Sequence, residues 1–238
     1  MKTKKSKTKN QNWKKGMLDS IPMGISFSVF GCIFGVMAIQ IGLSPIESVL
    51  MSLVSFAGSA QLSVLSMIAE NSSISAMVLT TLMINARHLL YGLSLSPYFS
   101  KFDWKFNNFI AYFLSDALYA LSLNHFRQST PQKSYIIGAG LFLYMSWGLG
   151  TLIGTISSTL LPEQYHFGLE FSMTTIFLIL AFTEITSFLK LITFCITGLI
   201  VISLYFVLPL GILLLIAGLA AFIVGYVSSG CHLLERRS

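Results

Sequence analysis

Apolar stretches long enough to cross a lipid bilayer constrain the fold of this chain more than any other sequence feature. A membrane-spanning helix needs about 20 apolar residues, each adding about 1.5 Å. The chain divides at charged residues and prolines into segments of that length: 21–41, 46–69, 74–98, 107–125, 135–161, 168–187, 190–207 and 209–228. Residues 188–228 read either as two short helices or as one broken segment, so seven or eight transmembrane helices are predicted.

Charged residues are scarce, and few of them lie within these segments. They make up 10% of the 238 residues, against 54% hydrophobic residues, and the mean hydropathy is +0.76. An ordinary soluble domain carries about 25% charged residues. A soluble enzyme, a nucleic-acid-binding protein and a disordered protein are therefore disfavoured. The composition predicts an all-α fold, a polytopic membrane helix bundle.

Lysines are concentrated at the N-terminus, where the first 15 residues hold seven of the 24 charged residues. Such a segment before an apolar span is typical of a cytoplasmic end that contacts anionic lipid. With eight spans, 12 Lys and Arg residues lie on the cytoplasmic side and 2 outside, whereas seven spans give 10 and 4. We predict a basic cytoplasmic tail (1–20), a transmembrane domain (21–228) and a short cytoplasmic tail (229–238).

Two ionisable residues lie within the predicted spans, where such residues are costly and usually functional. Arg87 is near the middle of 74–98, and Asp116 is near the middle of 107–125. Because these spans are consecutive and antiparallel, the two side chains are expected to form a buried ion pair. That pair serves either as a structural clamp or as a site for a zwitterion. Tyr91 and Tyr119, about one turn away, are candidates for hydroxyl or cation–π contacts, or for packing.

A second polar cluster covers residues 55–61 and ends in Gln61, whose amide both donates and accepts hydrogen bonds. Its small residues are consistent with pore lining and with helix packing. The glycines at positions 31 and 35, and at 150 and 154, indicate close helix packing. The chain has no P-loop, no serine-protease motif and no metal-ligand spacing. We therefore predict neither an enzymatic activity nor a cofactor.

Several strings of residues, in the same order along the chain, match a known family. They are Phe56–Gln61, Asn85–Gly92 with Pro97 after it, Leu114–Tyr119, Tyr144–Gly154 and Gly168–Phe171. On these strings the chain resembles AzlC, the large subunit of bacterial branched-chain amino acid exporters. Ala117 stands where the family often has an acidic residue, and Glu170 where an aspartate is common.

The resemblance implies a plasma-membrane permease that exports branched-chain amino acids with a small multi-span partner, AzlD. We expect a secondary transporter with a cytoplasmic N-terminus, driven by the proton-motive force, and an apolar amino acid bound at mid-depth. Arg87 would bind the carboxylate and Asp116 the ammonium. His88 is either a proton carrier or hydrogen-bonded to a backbone carbonyl. The predicted substrate-binding residues are Arg87, Asp116, Gln61, Asn85, Tyr91 and Tyr119.

Two other functions are compatible with the same sequence. A channel for small ions or solutes would give a large conductance, whereas a carrier would give saturable exchange. A structural membrane scaffold would keep its function after Arg87 and Asp116 are both made apolar.

Overall fold

The computed structural model of this protein describes residues 2–160, 178, 182, 185–208, 212–213 and 216–225. All regular secondary structure in these residues is α-helical, which confirms the all-α prediction. The Gly168–Phe171 string and the predicted C-terminal tail lie outside the described residues. In chain order the helices are α1 (Lys2–Gln40), α2 (Pro45–Ser55), α3 (Gly58–Ala69), α4 (Ile74–Asn85), α5 (Arg87–Phe99), α6 (Trp104–Tyr112), α7 (Asp116–Gln128), α8 (Lys133–Leu160) and α9 (Phe188–Leu204), followed by a short helix at Ile216–Gly225.

The chain divides into two compact units. The first comprises residues 1–62 and 85–161, and the second comprises residues 63–84 and 162–238. In the first unit, two helical stretches are long and apolar enough to cross a membrane, Asn12–Gln40 and Lys133–Ser158. They correspond to the predicted spans 21–41 and 135–161. In the second unit, α9 is apolar but shorter, with 17 residues.

The first unit is built on a close contact between α1 and α8. A Cβ atom added at Gly31 of α1 would lie 2.5 Å from the carbonyl oxygen of Trp147 in α8. One added at Gly154 of α8 would strike the carbonyl oxygen of Cys32. The two backbones therefore touch, as small residues at a helix interface allow. The glycine pairs noted in the sequence pack inside this unit.

Three predicted spans are not continuous helices. The 46–69 segment is interrupted between α2 and α3, the 74–98 segment between α4 and α5, and the 107–125 segment between α6 and α7. Hydropathy counts apolar residues and carries no information on whether the helical hydrogen bonds continue. Interrupted helices are a recurrent feature of transporters, where they lie against binding sites. The residues predicted to bind substrate lie beside these interruptions or within two turns of them.

Candidate functional site

The helix is interrupted between α2 and α3 because the backbone turns there. The residues at the turn are apolar, so hydropathy does not reveal the interruption. Phe56, which ends α2, has φ 41° and ψ 44°, the left-handed conformation that a bulky residue rarely adopts. A helix that ends inside an apolar protein leaves carbonyl groups without intrahelical partners. Here Tyr144 donates its hydroxyl to the Leu53 carbonyl at 2.9 Å, and Tyr112 donates to the same oxygen. Two tyrosines thus satisfy the exposed end of α2.

A buried glutamine caps the start of α3. The Ala57 amide donates to Oε1 of Gln61 at 3.2 Å, and Gln61 is only 2% exposed. The Nε2 atom of the same amide is buried and has no hydrogen-bond partner among the described residues. An unpartnered buried donor costs about 1–3 kcal/mol, so native structures keep few of them outside functional sites.

The guanidinium of Arg87 lies against this same helix end. Its Nη2 atom donates to Oγ of Ser59 at 3.1 Å. Its Nε atom is buried without a hydrogen-bond partner in the described part of the chain. Arg87 is also the first residue of α5, whose N-cap Ala86 provides no side-chain hydrogen bond. A charged donor from the first residue of α5 therefore contacts the first turn of α3.

The expected ion pair between Arg87 and Asp116 is not formed. Within the described residues the structure contains one ion pair, between Lys133 and Asp103. Asp116 is exposed and is the first residue of α7, after the N-cap Ser115. The positive end of a helix stabilises a carboxylate in its first turn. The start of α7 therefore stabilises the negative charge of Asp116 in place of the expected arginine. A continuous helix over 107–125 would have no helix start at this position.

Helices α5 and α7 do meet, through tyrosines rather than through charges. The rings of Tyr91 and Tyr119 stack with centroids 4.6 Å apart and an angle of 13° between their planes. The hydroxyl of Tyr119 is hydrogen-bonded to Ser94 at 3.0 Å. The predicted proximity of the two spans is thus confirmed, and the two tyrosines pack on each other.

His88 extends this aromatic group towards the interruption after α4. Its Nδ1 atom lies 3.0 Å from the backbone carbonyl of Asn85, and its ring meets Tyr91 edge to face. Because a carbonyl only accepts, Nδ1 carries a proton and donates it to this carbonyl. The expected bond from His88 to a backbone carbonyl is confirmed. The side-chain oxygen of Asn85 is buried and has no hydrogen-bond partner within the described residues.

Several residues that support the site were not predicted from the sequence. The indole of Trp147 lies under the start of α3, since a Cβ atom at Gly58 would be 2.7 Å from its ring. Its Nε1 atom donates to Ser52 at 3.2 Å, and Ser52 is 2.7 Å from Thr151. Neutral hydroxyl pairs of this kind leave no signal in charge or hydropathy. Tyr144 lay within a family-like string, but nothing in the string indicated a helix-capping role.

Comparison with known proteins identifies a family over the part of the chain that holds the candidate site. The family described as AzlC protein matches residues 22–161, which is more than half of the chain and contains every residue of the candidate site. The chain belongs to the AzlC family. This confirms the resemblance identified from short strings, except for the Gly168–Phe171 string, which lies beyond the match. The match covers the first unit from residue 22 onwards and also includes residues 63–84 of the second unit.

Relatives in this family occur in archaea and bacteria. An uncharacterized membrane protein of Archaeoglobus fulgidus is 28% identical over 177 residues, covering 74% of this chain and 77% of the relative. The inner membrane protein YgaZ of Escherichia coli is 31% identical over 63% of each chain. The branched-chain amino acid transport protein AzlC of Bacillus subtilis is 26% identical, over 68% of this chain and 63% of its own length. No solved structure matches the chain.

Proposed function

We propose that this AzlC-family protein is a secondary transporter that exports branched-chain or similar apolar amino acids across the bacterial plasma membrane. The family match and the name of the Bacillus subtilis relative support transport of this substrate class. Seven or eight spans, with the N-terminus in the cytoplasm, remain our proposal for the topology. Counting α2 with α3, α4 with α5, and α6 with α7 as interrupted spans is consistent with that number.

The observation that carries the proposal is the guanidinium of Arg87 at the start of α3, which has no ion pair within the described residues. This guanidinium donates a hydrogen bond to Ser59, and both residues belong to the first unit. A substrate carboxylate accepts hydrogen bonds from a guanidinium and from the first amides of a helix. The unpartnered Nε2 of Gln61 adds a further donor. We therefore propose that Arg87, Gln61 and the start of α3 bind the substrate carboxylate.

The remaining predicted residues surround this point in our proposal. Asn85 would accept a hydrogen bond from the substrate, and Asp116 would receive its ammonium group. The stacked rings of Tyr91 and Tyr119 would form an apolar wall for the side chain of the substrate. His88 is the proposed proton carrier, because an imidazole ring can both donate and accept a proton. A small AzlD-like membrane subunit is the proposed partner, and no cofactor is invoked.

Transport of labelled leucine by purified protein in liposomes tests the proposal. Liposomes preloaded with leucine are diluted into medium containing a trace of labelled leucine, with and without the small subunit. A carrier accumulates label by exchange and saturates, whereas a channel dissipates the gradient and gives a large conductance. Exchange that never exceeds that of empty liposomes, with both subunits present, would refute transport of leucine.

Two arginine variants test the site in the same assay. Arg87→Ala removes charged hydrogen bonds worth about 2 kcal/mol, and a roughly 30-fold loss of exchange is expected. Arg127→Ala is the matched control, because Arg127 is exposed in the last turn of α7. Equal exchange by both variants, at equal amounts of inserted protein, would exclude Arg87 from the binding site.

A further inference from the structure

The second unit contains a cleft that takes no part in the proposed transport site. Its volume is about 410 Å³, within the range of ligand pockets in proteins. Helix α9 and the short helix at Ile216–Gly225 both line it, and its surface is mainly apolar. Helix α9 contributes Lys190, Thr193, Phe194 and Thr197, and the short helix contributes Ala221 and Gly225.

The cleft follows one face of α9. Lys190, Thr193 and Thr197 are three and four residues apart, a spacing that places side chains on the same side of a helix. Thr197 lies about 10 Å further along the helix than Lys190. On the short helix, Ala221 and Gly225 are four residues apart, and such small residues leave room between helices. The cleft therefore extends from Lys190 along two turns of α9.

Positive potential is concentrated at the Lys190 end of the cleft. Lys190 lies in the first turn of α9, after the N-cap Ser187, where the helix dipole is positive. This turn contains no acidic residue, although acidic residues are the ones that stabilise a helix start. The Nζ atom of Lys190 donates to Oγ1 of Thr186, a neutral partner, at 3.0 Å. Because an ammonium group has three donors, Lys190 can bind an anion as well.

The rest of the cleft suits a hydrocarbon chain. Phe194 provides apolar surface, and the hydroxyl of Thr193 is turned to its own helix, where it donates to the Leu189 carbonyl at 2.9 Å. The hydroxyl of Thr197 is buried without a hydrogen-bond partner within the described residues, so it is free to donate to an ester oxygen. Lys190 also begins the predicted span 190–207, so the cleft runs from the bilayer interface towards its apolar core. A phospholipid has its phosphate, ester oxygens and acyl chains in this same order.

We propose that this cleft binds an anionic phospholipid. The phosphate group binds Lys190 at the start of α9, and one acyl chain lies between α9 and the short helix. Basic pockets between membrane helices are known to recognise acidic lipid headgroups. The cleft uses none of the residues assigned to the transported substrate, so its test is independent of the proposed function.

Lipid binding by the purified full-length protein tests the proposal. Protein stripped of lipid in detergent is titrated with phosphatidylglycerol or with phosphatidylcholine of identical acyl chains, and bound lipid is counted by native mass spectrometry. Phosphatidylglycerol is expected to bind about fivefold more tightly, the ratio that attraction to one basic residue gives. Equal affinities would overturn the proposal. Oleate, titrated separately, is expected to bind more weakly than phosphatidylglycerol; oleate that binds as tightly would identify a free fatty acid as the occupant and overturn the assignment to a phospholipid.

Two pairs of variants connect this binding to the cleft. Lys190→Gln is expected to abolish the preference for phosphatidylglycerol, whereas Lys101→Gln, at an exposed lysine of the first unit, preserves it. Ala221→Leu narrows the cleft and is expected to weaken binding of both lipids roughly tenfold, whereas Ala220→Leu, next to it on the same helix, leaves binding unchanged. Equal effects within either pair would overturn the assignment to this cleft. Both lysines are exposed, so the lysine pair decides the question even if Ala221→Leu fails to fold.

Discussion

Substitution of Gly31 by alanine probes the contact between α1 and α8 on which the site is built. The added Cβ atom would lie 2.5 Å from the carbonyl oxygen of Trp147, and ordinary contacts begin at 3.4 Å. The nearest obstacles are backbone atoms of α8, so no side chain can move aside. The helices must separate by roughly 1 Å or distort.

The expected cost follows from two opposing terms. Overpacking of this kind costs about 1–3 kcal/mol, and replacing a mid-helix glycine by alanine returns about 0.5–1 kcal/mol. The difference is a net loss of about 0–2.5 kcal/mol, and each kcal/mol lowers the melting temperature of a chain this size by roughly 2–4 °C. Relative to an alanine variant without overpacking, the full cost of about 1–3 kcal/mol is expected. Because Trp147 also lies against Gly58 at the start of α3, leucine exchange is expected to fall as well.

The assay is the fraction of detergent-solubilised protein that remains monodisperse in size-exclusion chromatography after heating. Gly198→Ala is the matched control, since a Cβ atom there would meet nothing within 4 Å. That control is expected to melt at or above the temperature of the unchanged protein. A Gly31→Ala protein as stable as the control would show that the two backbones do not touch.

Three further predictions follow from individual contacts. Tyr144→Phe removes one of the two hydroxyls that cap α2 and is expected to cost about 1 kcal/mol in the same heating assay; an unchanged melting temperature would contradict a contribution of this hydroxyl beyond that of Tyr112. Gly58→Ala places a Cβ atom 2.7 Å from the ring of Trp147, and a lower rate of leucine exchange is expected from protein that still inserts; an unchanged rate would argue against support of the α3 start by that ring. The hydrogen bond from Lys133 lowers the pKa of Asp103, which lies outside the predicted spans. That contribution to stability is present above about pH 4, the pKa of an unfolded aspartate, and is lost as the pH falls through the lower folded value. Melting curves between about pH 5 and pH 3 should therefore fall less steeply in Lys133→Met, and identical slopes would contradict the pairing.

The sequence predicted the all-α class and the two longest helices because those features depend on apolar length alone. It did not predict the interruptions, which depend on where helical hydrogen bonds stop. Phe56 shows the difficulty: nothing in a phenylalanine indicates a left-handed conformation, and the turn is held by tyrosines from distant helices. A local sequence pattern cannot predict this cap, because the capping hydroxyl of Tyr144 is 91 residues away from Leu53 in the sequence.

The sequence predicted which residues form the candidate site but not which groups they contact. Arg87 is conspicuous as a charge inside an apolar run, and pairing it with Asp116 followed from opposite charge and equal depth. The structure instead gives Arg87 a neutral partner, Ser59, and places Asp116 at a helix start. The prediction matched opposite charges between spans that were taken as continuous helices. It could not include the dipole of α7, because the positive end of a dipole exists only where a helix begins.

We propose that a substrate carboxylate binds at the start of α3, between Arg87 and Gln61. An experimental structure of the two-subunit complex with leucine bound measures this most directly. We expect both carboxylate oxygens within about 3 Å of donors from Arg87, Gln61 or the first amides of α3. A carboxylate bound at the start of α7, or anywhere out of reach of Arg87, would contradict it.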